Sequence, residues 1–195
     1  MSPIGASLSV TRITVDGTTL VIRPIAADDG PRLRALAQRC SPETLYLRFF
    51  SPITDISERW LTHFTDVDYD RRVALVATNG ADIVGVARYD RTGETHQAEY
   101  AIIVEDAWQH RGLGTAMTSA LIEVAKRHSV EELVAVTLTE NTKVRAMLRT
   151  FSVHSTKKFV DGNVEMHVPI GDHQPDIAET GPSNQATSSA ITVPT

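Results

Sequence analysis

The chain has 195 residues, of which 42 % are apolar and 22 % are charged, and its formal net charge is −5. This balance is typical of a globular protein and excludes a membrane-spanning one, because no apolar run approaches the roughly 18 residues that a membrane helix needs. Three acidic residues and no Lys or Arg lie among the last 25 residues, and the basic surface that nucleic acids require is absent. We therefore expect neither a nucleic acid nor a membrane as a partner.

Two features of the sequence predict where the protein resides. Cys40 is the only cysteine, so an internal disulfide is impossible, which is typical of the reducing cytoplasm. The amino terminus, MSPIGASLSV, lacks the basic patch and long apolar core of a secretory signal. We expect a cytoplasmic protein in which Cys40 is a buried apolar residue rather than a nucleophile.

The first third of the sequence predicts a hairpin followed by helices. Alternating apolar and polar residues over about 8–25 are interrupted at Asp16 and Gly17, a strong two-residue hairpin signal. Apolar residues then recur at helical spacing behind capping residues. Three helices are predicted in the segments AADDGPRLRALAQRC, SPETLYLRFFS and ISERWLTHFT.

The rest of the sequence alternates strands with helices. Three strands come first, then a helix from Gly112 to about His128, and then a strand, a helix and a closing hairpin. This order predicts an α/β protein (mixed α+β) in which a mixed sheet carries helices on both faces. From residue 171 onward the composition is dominated by Ser, Thr, Pro, Asn and Gln, which predicts a disordered tail. We therefore divide the chain into a domain, 1–170, and a tail, 171–195.

The segment QHRGLGT, residues 109–115, carries the most informative motif. It follows a predicted strand directly and leads into a predicted helix. Glycine allows the backbone to approach a ligand closely, and the free N–H groups at a helix start attract an anion. The segment therefore predicts a site for a diphosphate.

Two common classes of glycine-rich turn do not fit this segment. A nucleotide P-loop requires Gly-x-x-x-x-Gly-Lys-Ser/Thr, and the lysine is missing. A dinucleotide fingerprint requires Gly-x-Gly-x-x-Gly near the first strand, but Met117 occupies the third glycine position and the motif lies in the middle of the chain.

The segment resembles the signature of the GNAT acetyltransferase superfamily, Arg/Gln-x-x-Gly-x-Gly/Ala, and LTENTKVRAML follows one strand later as in that superfamily. The resemblance extends from Thr19 to about Ile170. It implies a GNAT fold, with a mostly antiparallel, twisted sheet, and acetyl-CoA as the acetyl donor, without a metal. IRPI, SPETLYLRFFS, FTDVDYDRRVALVA and AEYAIIVEDAWQHRGLG are similar to Pat, a branch of bacterial protein lysine acetyltransferases. That similarity implies a protein substrate with a reactive lysine, such as an acyl-CoA synthetase.

The resemblance also implies roles for the strand before the motif. Acetyl transfer requires a base to deprotonate the amine and donors to meet the thioester oxygen. Glu99 matches the general base of Pat enzymes, and His96 is a weaker alternative. Main-chain amides of Ile102, Ile103 and Val104, freed by a kink in the strand, match the donors.

The cofactor is expected to lie against the glycine motif and the segment after the next strand. Asn141 matches a residue that contacts the pantetheine arm, and Arg145 is one helical turn further, within reach of a phosphate. Glu105 and Asp106 are expected to orient the motif, and His63 and Asp66 to belong to a lid or to the structural framework. Gln109 is expected to contact the cofactor as well. The pyrophosphate is assigned, mostly through the main chain, to His110, Arg111, Gly112, Leu113, Gly114 and Thr115.

Two departures from the superfamily pattern leave alternatives open. Leu148 stands where many small-amine enzymes have a tyrosine that reprotonates the CoA thiolate, and Phe151 is no donor either. RTFSVHSTKKF replaces a common Gly-Phe turn. Besides protein lysine acetylation, the sequence is compatible with a GNAT enzyme that acetylates a free amino acid or polyamine, and with a non-catalytic acyl-CoA sensor.

Overall fold

The structure is a computed structural model that describes residues 10–91, 93 and 95–171. The predicted tail lies outside the described residues except for Gly171, as do residues 8 and 9 of the predicted hairpin. The strands are β1 (Thr11–Val15), β2 (Thr18–Pro24), β3 (Arg72–Asn79), β4 (Asp82–Arg91), β5 (Gln97–Val104), β6 (Glu132–Leu138), β7 (Thr156–Val160) and β8 (Asn163–Pro169). The helices are α1 (Gly30–Arg39), α2 (Pro42–Phe49), α3 (Glu58–Thr65), α4 (Leu113–Arg127) and α5 (Thr142–Arg149). None of the helices in this part of the chain is long and apolar enough to cross a membrane.

All eight strands join one mixed sheet in the order β1-β2-β3-β4-β5-β6-β8-β7. The neighbours pair antiparallel except β5 and β6, which are parallel. A parallel pair needs a crossover connection, and α4 provides it between β5 and β6. The element order and the fold class predicted from the sequence are confirmed.

The first hairpin turns where the sequence signal lies. Asp16 has a φ angle of 46° and Gly17 a φ angle of 79°, so both central residues of the turn are left-handed. A two-residue turn with both φ angles positive matches the right-handed twist of the flanking strands. Glycine at the second position adopts this conformation without the steric penalty of a Cβ.

Helices cover both faces of the sheet and define two cores. Helices α4 and α5 pack on one face, against residues such as Val73, Leu75 and Tyr100. Helices α1 to α3 pack on the other face, against Ala74 and Val76. Because neighbouring residues of β3 point into different cores, the strand is buried on both sides and reads as the apolar run VALVA.

The sheet opens at its centre, between β5 and β6. Their parallel register covers only Gln97–Glu99 of β5, opposite Glu132–Val134 of β6. Strand β5 continues paired with β4 to Val104, and β6 continues paired with β8 to Leu138. The two strands therefore diverge beyond Glu99, and the edges that face each other there are not paired.

Candidate active site

Two cavities flank the opening between β5 and β6. The first, here called the glycine-loop cavity, has a volume of about 350 Å³ and is bounded by Gly112 and Gly114. The second, here called the Glu99 cavity, has a volume of about 390 Å³. Five residues are shared between the two linings: Leu47, Arg48, Ile102, Asn141 and Val144. The cavities thus adjoin one another where α2 and α5 approach β5.

The glycine motif forms the start of α4, close to the end of β5. Gly112 caps the helix with a φ angle of 81°, a left-handed conformation that glycine adopts readily. A Cβ on Gly114 would lie 3.3 Å from Met147 Sδ and 3.8 Å from Ile102 Cδ1, both of which belong to residues lining the glycine-loop cavity. Bare backbone and the N–H groups of a helix N-terminus therefore face the cavity, an arrangement suited to a diphosphate.

Exchanging Gly112 for Ala is expected to lower the free energy of unfolding by about 1–2 kcal/mol, the usual cost of a Cβ in the left-handed region. Nothing lies within 4 Å of that Cβ, so the loss comes from backbone strain alone. Urea denaturation measures it. Gly114→Ala is the matched control, because Gly114 has no positive φ and its Cβ meets a flexible methionine. An equal loss in both variants would contradict the assignment of strain to Gly112.

Nine of the twelve residues assigned to the cofactor from sequence line the glycine-loop cavity. The remaining three are Arg111, Leu113 and Arg145. The side chain of Leu113 is fully buried, so it can meet a ligand only through its main chain. The Arg111 guanidinium lies over the Trp108 ring, 5.6 Å from its centroid. The nine are Ile102, Ile103, Val104, Gln109, His110, Gly112, Gly114, Thr115 and Asn141.

The structure gives Arg145 hydrogen-bond partners that the sequence did not predict. Its guanidinium donates to the carbonyl oxygens of Leu138 and Thr139, at 2.7 Å each, and to Thr137 Oγ1 at 3.3 Å. The residue is buried and lines neither cavity. These hydrogen bonds hold the end of β6 against α5, so Arg145 has a structural role, and the phosphate contact expected from its position stays a prediction.

Of the three amides expected to meet a thioester oxygen, those of Ile102 and Val104 are the ones that face the opening. Glu105 N–H donates to Val84 O on β4, so by alternation the Ile103 amide also points to β4. The register of β5 with β4 runs without a shift from Ala98, opposite Arg91, to Val104, opposite Gly85. The divergence of β6 after Glu99 leaves one edge of Ile102–Val104 without a strand partner. Backbone donors of β5 are thus available to a ligand at the junction of the two cavities.

Polar contacts between α2 and the loop after β5 fix the entrance to the glycine motif. Asp106 accepts hydrogen bonds from the main chain and hydroxyl of Ser41, at 2.8 and 2.7 Å, and from the hydroxyl of Thr44. Burial alone would raise the pKa of Asp106, but these hydrogen bonds outweigh it and lower the pKa. Gln109 Nε2 donates to Val104 O and to Thr44 Oγ1, at 3.0 Å each. The loop therefore has a set position before any ligand binds.

Glu99 lies at the last paired position before β5 and β6 diverge, and it lines the Glu99 cavity. It is half-buried, and its register partner on β4 is Asp90. Burial, and next the charge of Asp90, raise the pKa of Glu99, while Arg48 and Arg88 oppose the shift. A carboxylate whose proton affinity is raised in this way is a better proton acceptor than an exposed one.

Other residues named from the sequence lie away from the cavities. His96 is exposed, and its Nδ1 lies 3.0 Å from Ser129 O. The carbonyl oxygen of His63 accepts a hydrogen bond from Arg72, and neither His63 nor Asp66 lines a described cavity. Burial raises the pKa of Cys40 to about 12, so its side chain is a thiol at neutral pH, as expected of a structural cysteine.

Several residues that line the cavities were not singled out from the sequence. Helix α2 contributes Glu43, Thr44, Leu47 and Arg48 to the glycine-loop cavity. The β7–β8 hairpin contributes Asp161, Asn163 and Glu165 to the Glu99 cavity. A signal existed for Arg48 alone, because it is a charged residue enclosed by apolar neighbours in LYLRFF. Among the described residues, no group of three or more His, Cys, Asp or Glu side chains is placed to hold a metal ion.

Helix α4 begins at glycines that lack side chains, next to two parallel strands that diverge, and a carboxylate lines the adjoining cavity. This arrangement defines an acyltransferase that uses a CoA thioester. Residues 19–151 match the acetyltransferase (GNAT) domain. The chain therefore belongs to the GNAT acetyltransferase family, whose members transfer an acyl group from acetyl-CoA.

Three similar proteins show which members of the GNAT family this chain resembles. Acetyltransferase PA5475 of Pseudomonas aeruginosa is 33 % identical over 134 residues, which are 67 % of this chain and 72 % of that protein. Acetyltransferase Pat of Mycolicibacterium smegmatis is 33 % identical over 135 residues, which are 68 % of this chain but only 40 % of that protein. The crystal structure of the GNAT domain of S. lividans PAT has a TM-score of 0.77 and 32 % identity, with 82 % of this chain and 96 % of that domain covered. The resemblance to Pat GNAT domains seen in the sequence is confirmed.

Proposed function

We propose that the protein is a cytoplasmic acetyltransferase that moves the acetyl group of acetyl-CoA to the ε-amine of a protein lysine, with Glu99 as the general base. One observation carries the proposal: Glu99 lines a cavity that meets the glycine-loop cavity along β5. CoA in the glycine-loop cavity then presents its thioester to an amine held beside Glu99.

The transfer follows from this arrangement. The lysine amine loses a proton to Glu99, directly or through a water molecule, and its nitrogen adds to the thioester carbon. Negative charge develops on the carbonyl oxygen, where the backbone amides of Ile102 and Val104, which face the opening, meet it. Collapse of the intermediate breaks the carbon–sulfur bond and releases CoA. As the protein acceptor we propose an acyl-CoA synthetase, which the sequence resemblance to the Pat branch implies; the similarity to Pat supports that resemblance.

A small polyamine is the second candidate acceptor, and a specific observation favours it. Three carboxylates, those of Glu99, Asp161 and Glu165, line the Glu99 cavity. Fixed negative charge of this kind attracts a ligand with more than one ammonium group. Both a free polyamine and a lysine among basic residues satisfy that condition.

Labelled acetyl-CoA, the purified protein and a whole-cell extract distinguish these acceptors. Label in discrete acid-precipitable bands, lost with Glu99→Gln, is the expected result and identifies the protein targets. Label confined to the soluble fraction would favour the polyamine. Binding of acetyl-CoA without transfer to either fraction would contradict both and indicate an acyl-CoA sensor.

Exchanging Asp90 for Asn is expected to move the acidic limb of the kcat/KM profile to lower pH. Asp90 raises the pKa of Glu99 and also accepts hydrogen bonds from Arg72 and Arg88. The neutral amide removes the raising charge and leaves the charge of Arg88, which lowers the pKa, uncompensated. The pKa of Glu99 therefore falls, and the base stays ionised at lower pH.

The kcat/KM for transfer to the identified acceptor, measured against pH, tests this shift. Asp82→Asn is the control, because Asp82 is an exposed carboxylate at the far end of the same strand. An acidic limb that stays in place, or that moves equally in both variants, would show that the limb does not report Glu99.

A further inference from the structure

Arg48 projects from α2 to the junction of the two cavities. It is one of the five residues that line both, and it also lines a smaller, mostly apolar cavity of about 40 Å³ beneath α1 to α3. Of the five shared residues, Arg48 and Asn141 alone have polar side chains. Asn141 Oδ1 accepts a hydrogen bond from the main chain of Val144, at 3.4 Å, and caps α5. Arg48 is therefore the charged donor at the junction.

The guanidinium of Arg48 has no acceptor in the described part of the chain. No hydrogen bond or ion pair to a described residue holds it, and its carbon lies 5.0 Å from the centroid of the Phe49 ring. By contrast, Arg88 donates twice to Asp90, at 3.0 and 3.1 Å. The side chain is half-buried, and its nitrogens are open to solvent rather than buried without a partner. The guanidinium is therefore free to donate to a ligand oxygen that enters the junction.

Charged groups on two strands face Arg48. Strand β4 contributes Arg88 and Asp90, and β5 contributes Glu99. Burial, and next the charge of Arg88, lower the pKa of Arg48 to about 10, against the opposing charges of Glu99 and Asp90. Arg48 is therefore still a cation at neutral pH, while Asp90 already neutralises Arg88 by hydrogen bonds.

We propose that Arg48 is a further catalytic residue, whose guanidinium donates to the carbonyl oxygen of the bound thioester. The proposal rests on the transfer reaction proposed above. When the amine nitrogen bonds to the carbonyl carbon, the π electrons of the carbonyl move onto its oxygen, and Arg48 stabilises that oxyanion beside the amides of β5. The electrons return as the carbon–sulfur bond breaks and CoA leaves as a thiolate. Of the two protons that the lysine ammonium gives up, the first goes to Glu99 before attack, and the second passes from the acylated nitrogen through water to the thiolate.

The position of the cavities places the carbonyl next to Arg48. The pantetheine arm comes from the glycine-loop cavity and the amine from the Glu99 cavity, so the reacting carbon lies where the two meet. Position 148 of α5 offers no acid at this point, because it is a fully buried leucine. A fixed cation at the junction thus meets the charge that the transfer creates.

Arg48→Gln tests the proposal, with Arg48→Lys and Arg59→Gln for comparison. Arg59 is an exposed arginine of α3, so its exchange makes the same change in charge away from the cavities. We expect Arg48→Gln to lower kcat about 10²-fold, as the loss of one oxyanion donor does, with KM for acetyl-CoA changed less than about threefold. Lysine should restore part of kcat, because it keeps the charge but not the planar guanidinium. Unchanged kcat in Arg48→Gln would overturn the proposal.

An infrared measurement makes the test independent of the acceptor. The carbonyl stretch of bound [1-¹³C]acetyl-CoA moves to lower frequency when donors contact its oxygen. We expect a smaller displacement in Arg48→Gln than in the unmodified protein, and no change in Arg59→Gln. Equal frequencies in Arg48→Gln and the unmodified protein would overturn the proposal even if turnover falls. A changed frequency without any acetylated protein in the extract would support this role of Arg48 and refute the lysine acceptor.

Discussion

Replacing Glu99 by Gln is expected to lower kcat for acetyl transfer about 10²- to 10⁴-fold, the usual contribution of a general base, while the affinity for acetyl-CoA stays the same. Glutamine keeps the size of the side chain but cannot take the amine proton. Glu99 lines the Glu99 cavity and not the glycine-loop cavity, so the cofactor loses no direct contact. Steady-state kinetics and calorimetric titration with acetyl-CoA measure the two quantities separately.

The pH dependence of this variant identifies the lost function. A free lysine has a pKa near 10.4, so a larger fraction of the amine is already deprotonated as the pH rises. The deficit of Glu99→Gln should therefore shrink at high pH. A deficit that is constant with pH would indicate a positioning role for Glu99, and full activity would move the base to another residue.

The stability of Glu99→Gln provides the control for folding. Burial, and next the charge of Asp90, raise the pKa of Glu99 in the folded state, so the folded protein binds this proton more tightly than the unfolded chain does. Stability then falls as the pH rises from the ordinary pKa through the raised one. Glutamine removes this penalty, and at pH 7 the variant should unfold at the same or a higher temperature. A lower unfolding temperature would show that the loss of kcat includes damage to the fold.

Features that depend on neighbours in sequence were predictable. Asp16 and Gly17 mark their hairpin because the turn itself requires two left-handed residues. Gly112 and Gly114 mark the loop at the start of α4, because a helix start and a bare backbone are both local properties. Glu99 was predictable from the same stretch of sequence, because it lies on β5, the strand that leads into this loop.

Features that depend on distant segments were not predictable. Arg48 reaches the junction because α2 packs over β5, far away in sequence, and no local pattern encodes that approach. The Arg145 guanidinium donates hydrogen bonds to carbonyl oxygens at the end of β6. These partners were not predictable from its position on α5, one turn after Asn141, which predicted a phosphate contact. One edge of β5 beside Ile102–Val104 is left unpaired by the divergence of β6, which is a property of two strands rather than of one.

Exchanging Gly114 for Trp is expected to abolish the binding of acetyl-CoA. A Cβ at this position already lies 3.3 Å from Met147 Sδ and 3.8 Å from Ile102 Cδ1. An indole ring attached to it has to extend into the glycine-loop cavity, where those two residues form part of the wall. The ring would occupy the space in which the pyrophosphate meets the N-terminus of α4. Calorimetric titration with acetyl-CoA should then detect no binding up to millimolar concentration.

Gly114→Ala separates this effect from damage to the fold. Its single methyl group meets the flexible end of Met147 rather than backbone, and alanine is the better helix former, so this variant should fold and keep acetyl-CoA affinity within about tenfold of the unmodified protein. If Gly114→Trp kept its circular dichroism spectrum and bound acetyl-CoA normally, the cofactor would lie elsewhere. The junction at Arg48 would then not be the reaction centre. If instead binding is lost while the Glu99 variant still binds, the two cavities have separate roles: one holds the donor and the other the acceptor and its base.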